Sequence, residues 1–234
     1  MMKKSNTQCN LDKCFMCTLA VKEWQPVLNA CRRNFSLKKG ECVINEGDPV
    51  TGVYFVYSGK VKVHKKWGDK ELIVRFATEG AIIGHRGLGT RSGFYPVSAT
   101  ALEPTVVCFI ELELFLATLK VNHDFAFHLL MFFADELQES EKRMRDLALM
   151  PVKNRLATSL LQLKQLFGTD KDGNINAELS RQDIASFSGA TYETVFRMMN
   201  ELSHENLIVV SGKKIGIPDE PKLRLLTADH LDKQ

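Results

Sequence analysis

Two short helices joined by a glycine-containing turn are predicted for residues 179–208, LSRQDIASFSGATYETVFRMMNELSHENLI. Ser180 and Asp183 have the spacing of a capping box, in which two side chains satisfy backbone N–H groups at a helix start. Gly189 can form a tight turn, and Thr191 can cap the second helix. This combination predicts a helix-turn-helix.

The second of these helices is predicted to have one apolar and one polar face. The inner face would carry Val195, Met198, Met199 and Leu202, and the outer face Tyr192, Glu193, Phe196, Arg197 and Asn200. Arg197 can donate two hydrogen bonds to guanine O6 and N7, and Glu193 can accept one from a cytosine amino group. The two residues are four positions apart, so the carboxylate can hold the guanidinium in position, and an ordinary surface salt bridge is the alternative. Inside a capped helix-turn-helix, contacts with DNA bases are favoured, and they are predicted for Tyr192, Glu193, Phe196 and Arg197.

A hairpin is predicted to follow the second helix, in the sequence LIVVSGKKIGI. Ser211 and Gly212 provide the turn, and Lys213 and Lys214 lie at its tip. Such lysines can rest on DNA phosphates and add salt-dependent affinity that carries no sequence information. The C-terminal part of the chain, residues 150–234, is therefore predicted to be a winged helix-turn-helix domain that binds DNA.

The residues from about Phe35 to Phe115 read as many short strands separated by turns. Val53–Tyr57 is a β-branched and aromatic run, and the residues from Lys60 to Lys65 alternate polar and apolar, as in a half-buried strand. Short strands at such spacing predict a β-barrel or jelly-roll sandwich. We assign residues 23–117 to this β-roll, with residues 1–22 as a separate cysteine-bearing segment.

The stretch from about Phe115 to Leu149 contains neither glycine nor proline, and one long helix of roughly 25–30 residues is predicted there. Its apolar residues recur at helical spacing: Phe125, Leu129, Phe132, Phe133, Leu137 and Met144. A helix this long needs a partner for its second apolar face, so packing against a second copy is favoured over packing within one chain. We assign residues 118–149 to a dimerisation helix.

Charge and hydropathy exclude several classes of protein. The net charge is only +3, and acidic and basic residues are equally numerous from Pro151 onward. No apolar run has the length of a membrane helix, and the N-terminus lacks the apolar stretch of a secretory signal. We therefore expect a cytoplasmic protein with reduced thiols that does not bind membranes. The six histidines are scattered without a nucleophile–base arrangement, so we do not expect an enzyme.

The chain as a whole resembles the CRP/FNR transcription regulators, and is closer to the FNR-like branch than to the members that bind cyclic AMP. The resemblance covers nearly the whole chain and is carried by EGD…VYFVYSGKVKV, KNRLATSLLQL and RQDIASFSGATYETVFRMMNEL. It implies an α+β fold: a cyclic-nucleotide-binding-like β-roll, a long dimerisation helix and a C-terminal winged helix-turn-helix. It also implies a homodimer on an inverted-repeat site in double-stranded DNA, with RNA polymerase as a further partner.

The resemblance assigns roles to particular residues. It implies that Glu193 and Arg197 read bases, and that phosphates are contacted by Ser180, Gln182, Thr191 and Thr194. Phe196 departs from the family pattern, because regulators like FNR carry serine there and those like CRP carry glycine.

Cyclic AMP in the usual family mode is disfavoured by the residues at the expected site. CRP-like members use a Gly-Glu motif for the ribose and an Arg-Ser pair for the phosphate. Here the glutamate is missing, and Val97 occupies the arginine position. An apolar side chain cannot neutralise a buried phosphate. Gly84, His85, Arg86 and Ser98 are candidates for a different effector, although a pair of turn residues facing solvent is the favoured interpretation of His85 and Arg86.

The cysteines offer another candidate sensor. In FNR-like oxygen sensors, an N-terminal cysteine cluster and one cysteine of the roll hold an iron–sulfur cluster. The residues that match are Cys9, Cys14, Cys17 and Cys108, although their Cys-x4-Cys-x2-Cys spacing differs from the FNR pattern and equally fits plant-type [2Fe–2S] ferredoxins. The protein would then respond to redox state, oxygen or nitric oxide.

Other interpretations of these cysteines stay open. Four thiolates also suit a structural zinc ion, and unligated cysteines need no metal. Cys31 and Cys42 are predicted to lie in the core. The alternative function is a regulator that responds to a different effector in the β-roll. An electron-transfer protein would not need a capped helix-turn-helix, and a cyclic-nucleotide module of a larger assembly conflicts with Val97.

Overall fold

The structure, a computed structural model, describes residues 3–5, 14–89 and 93–227. The chain divides into two compact units. One consists of Met1–Asp69 and Val74–Gln138, and the other of Lys70–Ile73 and Glu139–Gln234. No helix among the described residues is both long enough and apolar enough to cross a membrane.

Two antiparallel sheets form most of the N-terminal unit, and the first four residues of one strand, Lys70–Ile73, belong to the other unit. The strands are β1 Lys3–Ser5, β2 Arg33–Leu37, β3 Cys42–Ile44, β4 Gly52–Ser58, β5 Val61–Trp67, β6 Lys70–Ala77, β7 Ile82–Ile83, β8 Ser98–Ala101 and β9 Thr105–Glu111. One sheet has the order β1-β2-β9-β4-β7 and the other β3-β8-β5-β6. This arrangement confirms the predicted β-roll.

Strand β4 is buried on both faces because its alternate residues pack into two different clusters. Tyr54 and Val56 belong to a cluster that joins residues of both sheets. Val53 and Phe55 belong to a second cluster, which contains helix residues and Cys108 of β9. Because side chains alternate along a strand, the run of apolar residues in β4 is explained by these two cores.

Four helices accompany the sheets: α1 Phe15–Leu19, α2 Gln25–Cys31, α3 Leu112–Val121 and α4 His123–Leu149. The predicted long helix of roughly 25–30 residues is confirmed by α4, which has 27 residues. Its predicted start near Phe115 is wrong, because the chain breaks at Asn122 and the residues before it belong to α3. Asn122 has an extended backbone conformation, with φ −125° and ψ 91°. Its Oδ1 accepts a hydrogen bond of 3.0 Å from the Phe125 backbone N–H. The asparagine thus caps α4, a local competition with the helix that a search for glycine and proline overlooks.

The C-terminal unit contains the predicted winged helix-turn-helix. Its elements are α5 Val152–Phe167, α6 Arg181–Ser188, α7 Tyr192–His204, β10 Val209–Ser211, β11 Lys214–Gly216 and α8 Glu220–Leu225. Strands β10 and β11 form an antiparallel hairpin. Leu156, Leu160, Ile184, Val195 and Leu202 are fully buried and form the core beneath α6 and α7. The predicted fold class is therefore confirmed in both parts of the chain.

Cys31 and Cys42 do not lie in the core as predicted, since both are exposed. Cys31 is the last residue of α2, a short helix in which Leu28 is buried. Cys42 opens β3, and the next two residues of the strand are buried. An apolar pattern predicts that an element has a buried face, but it fixes the positions at the ends of short elements poorly.

Candidate functional site

The start of α6 is fixed by the predicted capping box. The Asp183 backbone N–H donates to Ser180 Oγ at 3.0 Å, and the Ser180 N–H donates to Asp183 Oδ2 at 3.2 Å. The Ser180 hydroxyl also hydrogen-bonds to Asp183 Oδ2, at 2.5 Å. Ser180, predicted to contact a phosphate, is therefore already engaged in positioning the helix. Gln182, the neighbouring predicted phosphate contact, is exposed.

The turn between α6 and α7 depends on Gly189. Its backbone is left-handed, with φ 65° and ψ 43°. A Cβ atom at this position would lie 2.1 Å from Leu147 Cδ2. The left-handed backbone conformation therefore favours glycine here, and a larger residue would also have to displace the end of the Leu147 side chain.

Arg155 joins this turn to the end of α4. Its Nε donates to the Ser188 carbonyl at 3.1 Å, and its Nη2 to the Gly189 carbonyl at 3.1 Å. Its Nη1 donates to the carbonyls of Leu147 at 3.2 Å and Met150 at 2.9 Å. One guanidinium thus satisfies four carbonyls where two helices end, and it fixes the turn that precedes α7.

Helix α7 presents the predicted polar face. Thr191 caps it, with Oγ1 accepting from the Thr194 N–H at 3.3 Å. Val195, Met199 and Leu202 are buried. The four residues predicted to contact bases are exposed: Tyr192, Glu193, Phe196 and Arg197. In the part of the chain that the structure describes, no salt bridge joins Glu193 to Arg197, so the carboxylate does not hold the guanidinium in position here.

The wing is the hairpin formed by β10 and β11, and its two lysines have different surroundings. Lys213 is exposed in the turn between β10 and β11. Lys214 Nζ lies 3.2 Å from Asp170 Oδ2 and 3.1 Å from Asp172 Oδ2. Hydrogen bonds with Asp172 and Asp170 raise the pKa of Lys214. A phosphate contact by Lys214 would therefore have to compete with these acids.

The four residues proposed for an effector pocket do not share one environment. Ser98 lies in β8, and its Oγ accepts from the Glu46 N–H at 2.9 Å. Gly84 precedes the 3-10 turn that contains His85 and Arg86. The interpretation of His85 as a solvent-facing turn residue is wrong, because it is 2% exposed and its ring lies 5.1 Å from that of Phe132. Val97 is buried in the cluster between the sheets.

The turn that contains His85 and Arg86 faces the protein interior because it lies against Glu136 of α4. Its Oε2 lies 2.6 Å from Arg86 Nη2 and 3.7 Å from His85 Nε2, and its Oε1 lies 3.1 Å from Arg75 Nη1. Burial acts to raise the pKa of Glu136, but His85, Arg75 and Arg86 outweigh it and hold that pKa well below its usual range. Burial lowers the pKa of His85, although Glu136 opposes this change. His85 is therefore neutral in the folded protein near neutral pH.

These shifts predict that the N-terminal unit loses stability in mild acid. The unfolded chain protonates His85 below about pH 6.5, whereas the folded chain resists protonation, so acidification favours unfolding by at most about 1.4 kcal/mol per pH unit. Glu136 adds to the loss only below about pH 4.5, because its folded pKa is depressed. The free energy of unfolding, measured with urea at pH 7 and at pH 5, should fall more between these two pH values in the wild type than in His85→Gln. His128→Gln, at an exposed histidine of α4, is the matched control. Equal losses in the wild type and His85→Gln would contradict the prediction.

The cysteines with proposed ligand roles are only partly described. Cys9 lies outside the described residues. Cys14 and Cys108 are buried in one apolar cluster, and Cys17 packs against it. Cysteine thiolates are the usual ligands of iron–sulfur clusters. Among the described residues, however, no group of three or more His, Cys, Asp or Glu side chains is arranged to hold a metal ion.

Two structurally central residues were not singled out from the sequence. Arg155 lies in the KNRLATSLLQL motif, but two of its four carbonyl partners belong to Ser188 and Gly189, more than thirty residues later in the chain. Glu136 is an acid on a helix rich in phenylalanine, next to the buried face. A charged residue beside an apolar helix face could have indicated an internal ion pair.

Comparison with known proteins agrees with this geometry. Residues 34–122 match the cyclic nucleotide-binding domain, and residues 154–226 match the Crp-like helix-turn-helix domain. The chain is 28% identical over 222 residues to the transcriptional activator protein Anr of Pseudomonas aeruginosa, covering 94% of this chain and 90% of that protein. It is 30% identical over 178 residues to the cAMP-activated global transcriptional regulator CRP of Pasteurella multocida, covering 75% and 85%. The structure of FixK2 from Bradyrhizobium japonicum matches with a TM-score of 0.75 and 26% identity, covering 85% of this chain and 98% of FixK2.

Proposed function

Because the chain belongs to the CRP/FNR family of transcription regulators and is not an enzyme, we propose that two copies bind an inverted repeat in double-stranded DNA. One α7 helix would enter the major groove of each half-site, with the two grooves one helical turn apart. The wing lysines would rest on flanking phosphates, and RNA polymerase would be the partner through which binding alters transcription.

The observation that carries this proposal is the exposed face of α7. Tyr192, Glu193, Phe196 and Arg197 are exposed on a helix whose start is fixed by Thr191 and whose opposite face is buried. Such a rigid helix can present a fixed pattern of donors and acceptors to base edges.

Competition binding tests the proposed function. The full chain would be used to capture genomic DNA fragments, and captured duplexes would then compete with random-sequence DNA at a fixed salt concentration. We expect captured duplexes to bind at least about 1,000-fold more tightly than random ones. Equal binding of captured and random duplexes would exclude a sequence-specific regulator.

Dimerisation is proposed along the second apolar face of α4. Phe127, Leu130, Leu137 and Met144 are exposed in the single chain, and Leu130, Leu137 and Met144 are spaced by seven residues. Ala134 and Ala148 fill further positions of the same heptad pattern. An exposed stripe with this period is typical of a helix that pairs with a second helix.

Replacing Leu137 with glutamate should disrupt the dimer. Leu137 is 60% exposed in the single chain, so the substitution leaves the chain's own core intact. Burying two such leucines contributes about 3–6 kcal/mol, so we expect the dimer dissociation constant to rise by at least about 100-fold. Sedimentation equilibrium measures the change, with the exposed Leu225→Glu on α8 as control. An unchanged dissociation constant would place the dimer contact elsewhere.

For the signal, we propose that Cys14, Cys17 and Cys108, together with Cys9, hold an iron–sulfur cluster. A bound cluster supplies a centre that oxygen, nitric oxide or a change in redox state can modify. The segment that carries Cys14 and Cys17 packs on α4: the Phe15 ring lies 5.7 Å from those of Phe125 and Phe132. Releasing the thiolates would loosen this packing and change the part of α4 that leads into the proposed dimer contact.

Metal analysis of anaerobically purified protein tests this signal. The wild type is expected to contain iron and acid-labile sulfide and to absorb visible light. Cys108→Ser should lose all three properties, because serine is a poor ligand for iron–sulfur clusters. Cys31→Ser and Cys42→Ser, at exposed cysteines, should keep them. An iron-free, colourless wild type would refute the cluster, and stoichiometric zinc would favour a structural site without a redox response.

A further inference from the structure

Tyr192 and Phe196 form an exposed aromatic stack on the outer face of α7. Their ring centroids are 6.3 Å apart and the ring planes are inclined by 12°. Tyr192 is 43% exposed and Phe196 is 49% exposed. The two rings are four residues apart, so they lie on the same side of the helix. The outer face of α7 thus carries a preformed apolar surface beside its charged groups.

We propose that this stack recognises the C5-methyl group of thymine in the target site. The inference rests on the proposed function, which places α7 in the major groove. Thymine is the base that presents a methyl group there, whereas the other bases present only hydrogen-bonding groups and ring edges. The Phe196 ring can form no hydrogen bond, so against guanine or cytosine it would leave a polar group desolvated and unpaired. Against the thymine methyl it buries apolar surface without that cost.

The neighbours of the stack define where this thymine lies. Glu193 and Arg197 follow Tyr192 and Phe196 by one residue each, so the two charged groups form one row along α7 and the two rings form the neighbouring row. Tyr192 is the first residue of α7, and its contact with Phe196 restricts the orientations of the Phe196 ring. The thymine is therefore placed at a base step adjacent to the one that Arg197 contacts.

Deoxyuridine substitution tests this inference directly, because uracil differs from thymine only by the missing methyl group. A duplex captured by the full chain would be synthesised with each thymine replaced in turn by deoxyuridine. We expect one thymine position in each half-site to be sensitive. Deoxyuridine at this position in one half-site should weaken binding of the wild type about fourfold, and deoxyuridine in both half-sites should weaken it about 15-fold. At the same positions, 5-methylcytosine should bind more tightly than cytosine.

The variants separate methyl recognition from general loss of binding. Phe196→Ser should bind the thymine and deoxyuridine duplexes equally, while Phe196→Leu, which stays apolar, should retain part of the difference. Wild-type protein that binds every deoxyuridine duplex as tightly as the thymine duplex, while still preferring captured over random DNA, would overturn this inference alone. Loss of that preference for captured DNA would overturn the proposed function and this inference with it.

Discussion

Replacing Arg197 with alanine is expected to remove a large part of the difference in affinity between the target site and random DNA. Its exposed guanidinium can donate two hydrogen bonds to one guanine, a contact worth about 1–3 kcal/mol of discrimination. A dimer makes this contact twice, so specific binding should weaken by at least about 30-fold. Fluorescence anisotropy on target and random duplexes at one salt concentration measures both affinities.

The matched control for Arg197 is Arg224→Ala. Arg224 is an exposed arginine of α8, and its Nη2 lies 2.6 Å from Glu220 Oε1. Its removal takes away the same charge but no residue of the proposed DNA-binding face, so the ratio of target to random affinity should not change. If Arg197→Ala keeps the wild-type ratio, base reading by α7 is contradicted.

The largest loss of stability is expected from Arg155→Met. Methionine retains much of the side-chain volume but leaves four carbonyls without their donor, two at the end of α6 and its turn and two at the end of α4. Hydrogen bonds from a charged donor contribute about 1.5–3 kcal/mol each, although partial exposure to water lowers their sum. We expect the free energy of unfolding of the C-terminal unit to fall by about 3–4 kcal/mol.

Two further variants define what the Arg155 result means. Arg155→Lys should recover only part of the lost stability, because the single ammonium nitrogen of lysine cannot occupy the three donor positions of a guanidinium. Arg224→Met should change the free energy of unfolding by less than about 0.5 kcal/mol, as is usual for an exposed ion pair. Urea unfolding followed by circular dichroism measures all three variants. A loss below about 1 kcal/mol for Arg155→Met would refute its structural role.

The helix-turn-helix was predictable because its determinants are close together in the sequence. Ser180 and Asp183 are three residues apart, and Gly189 ends α6 through its own backbone conformation. The strands β4 and β5 were likewise predictable from short-range patterns, although His64 of β5 is buried where the alternation predicts an exposed polar residue. Interactions of this kind are encoded within one or two turns of chain.

The remaining features depend on contacts between distant residues or on local competition. The inward position of His85 and Arg86 depends on Glu136, some fifty residues later in the chain. The break at Asn122 depends on one side-chain hydrogen bond, where composition alone favoured a continuous helix. An amphipathic pattern identifies a face that is buried, but it does not identify the distant group that the face contacts.

The central claim is tested most directly by selecting duplexes from a randomised library with the wild type and, in parallel, with Arg197→Ala. The account predicts that the wild type enriches an inverted repeat whose half-sites are about one helical turn apart. Arg197→Ala should enrich the same spacing but lose the preference for guanine at one position of each half-site. Identical base preferences for the two proteins, or enrichment of no repeat by the wild type, would contradict the account.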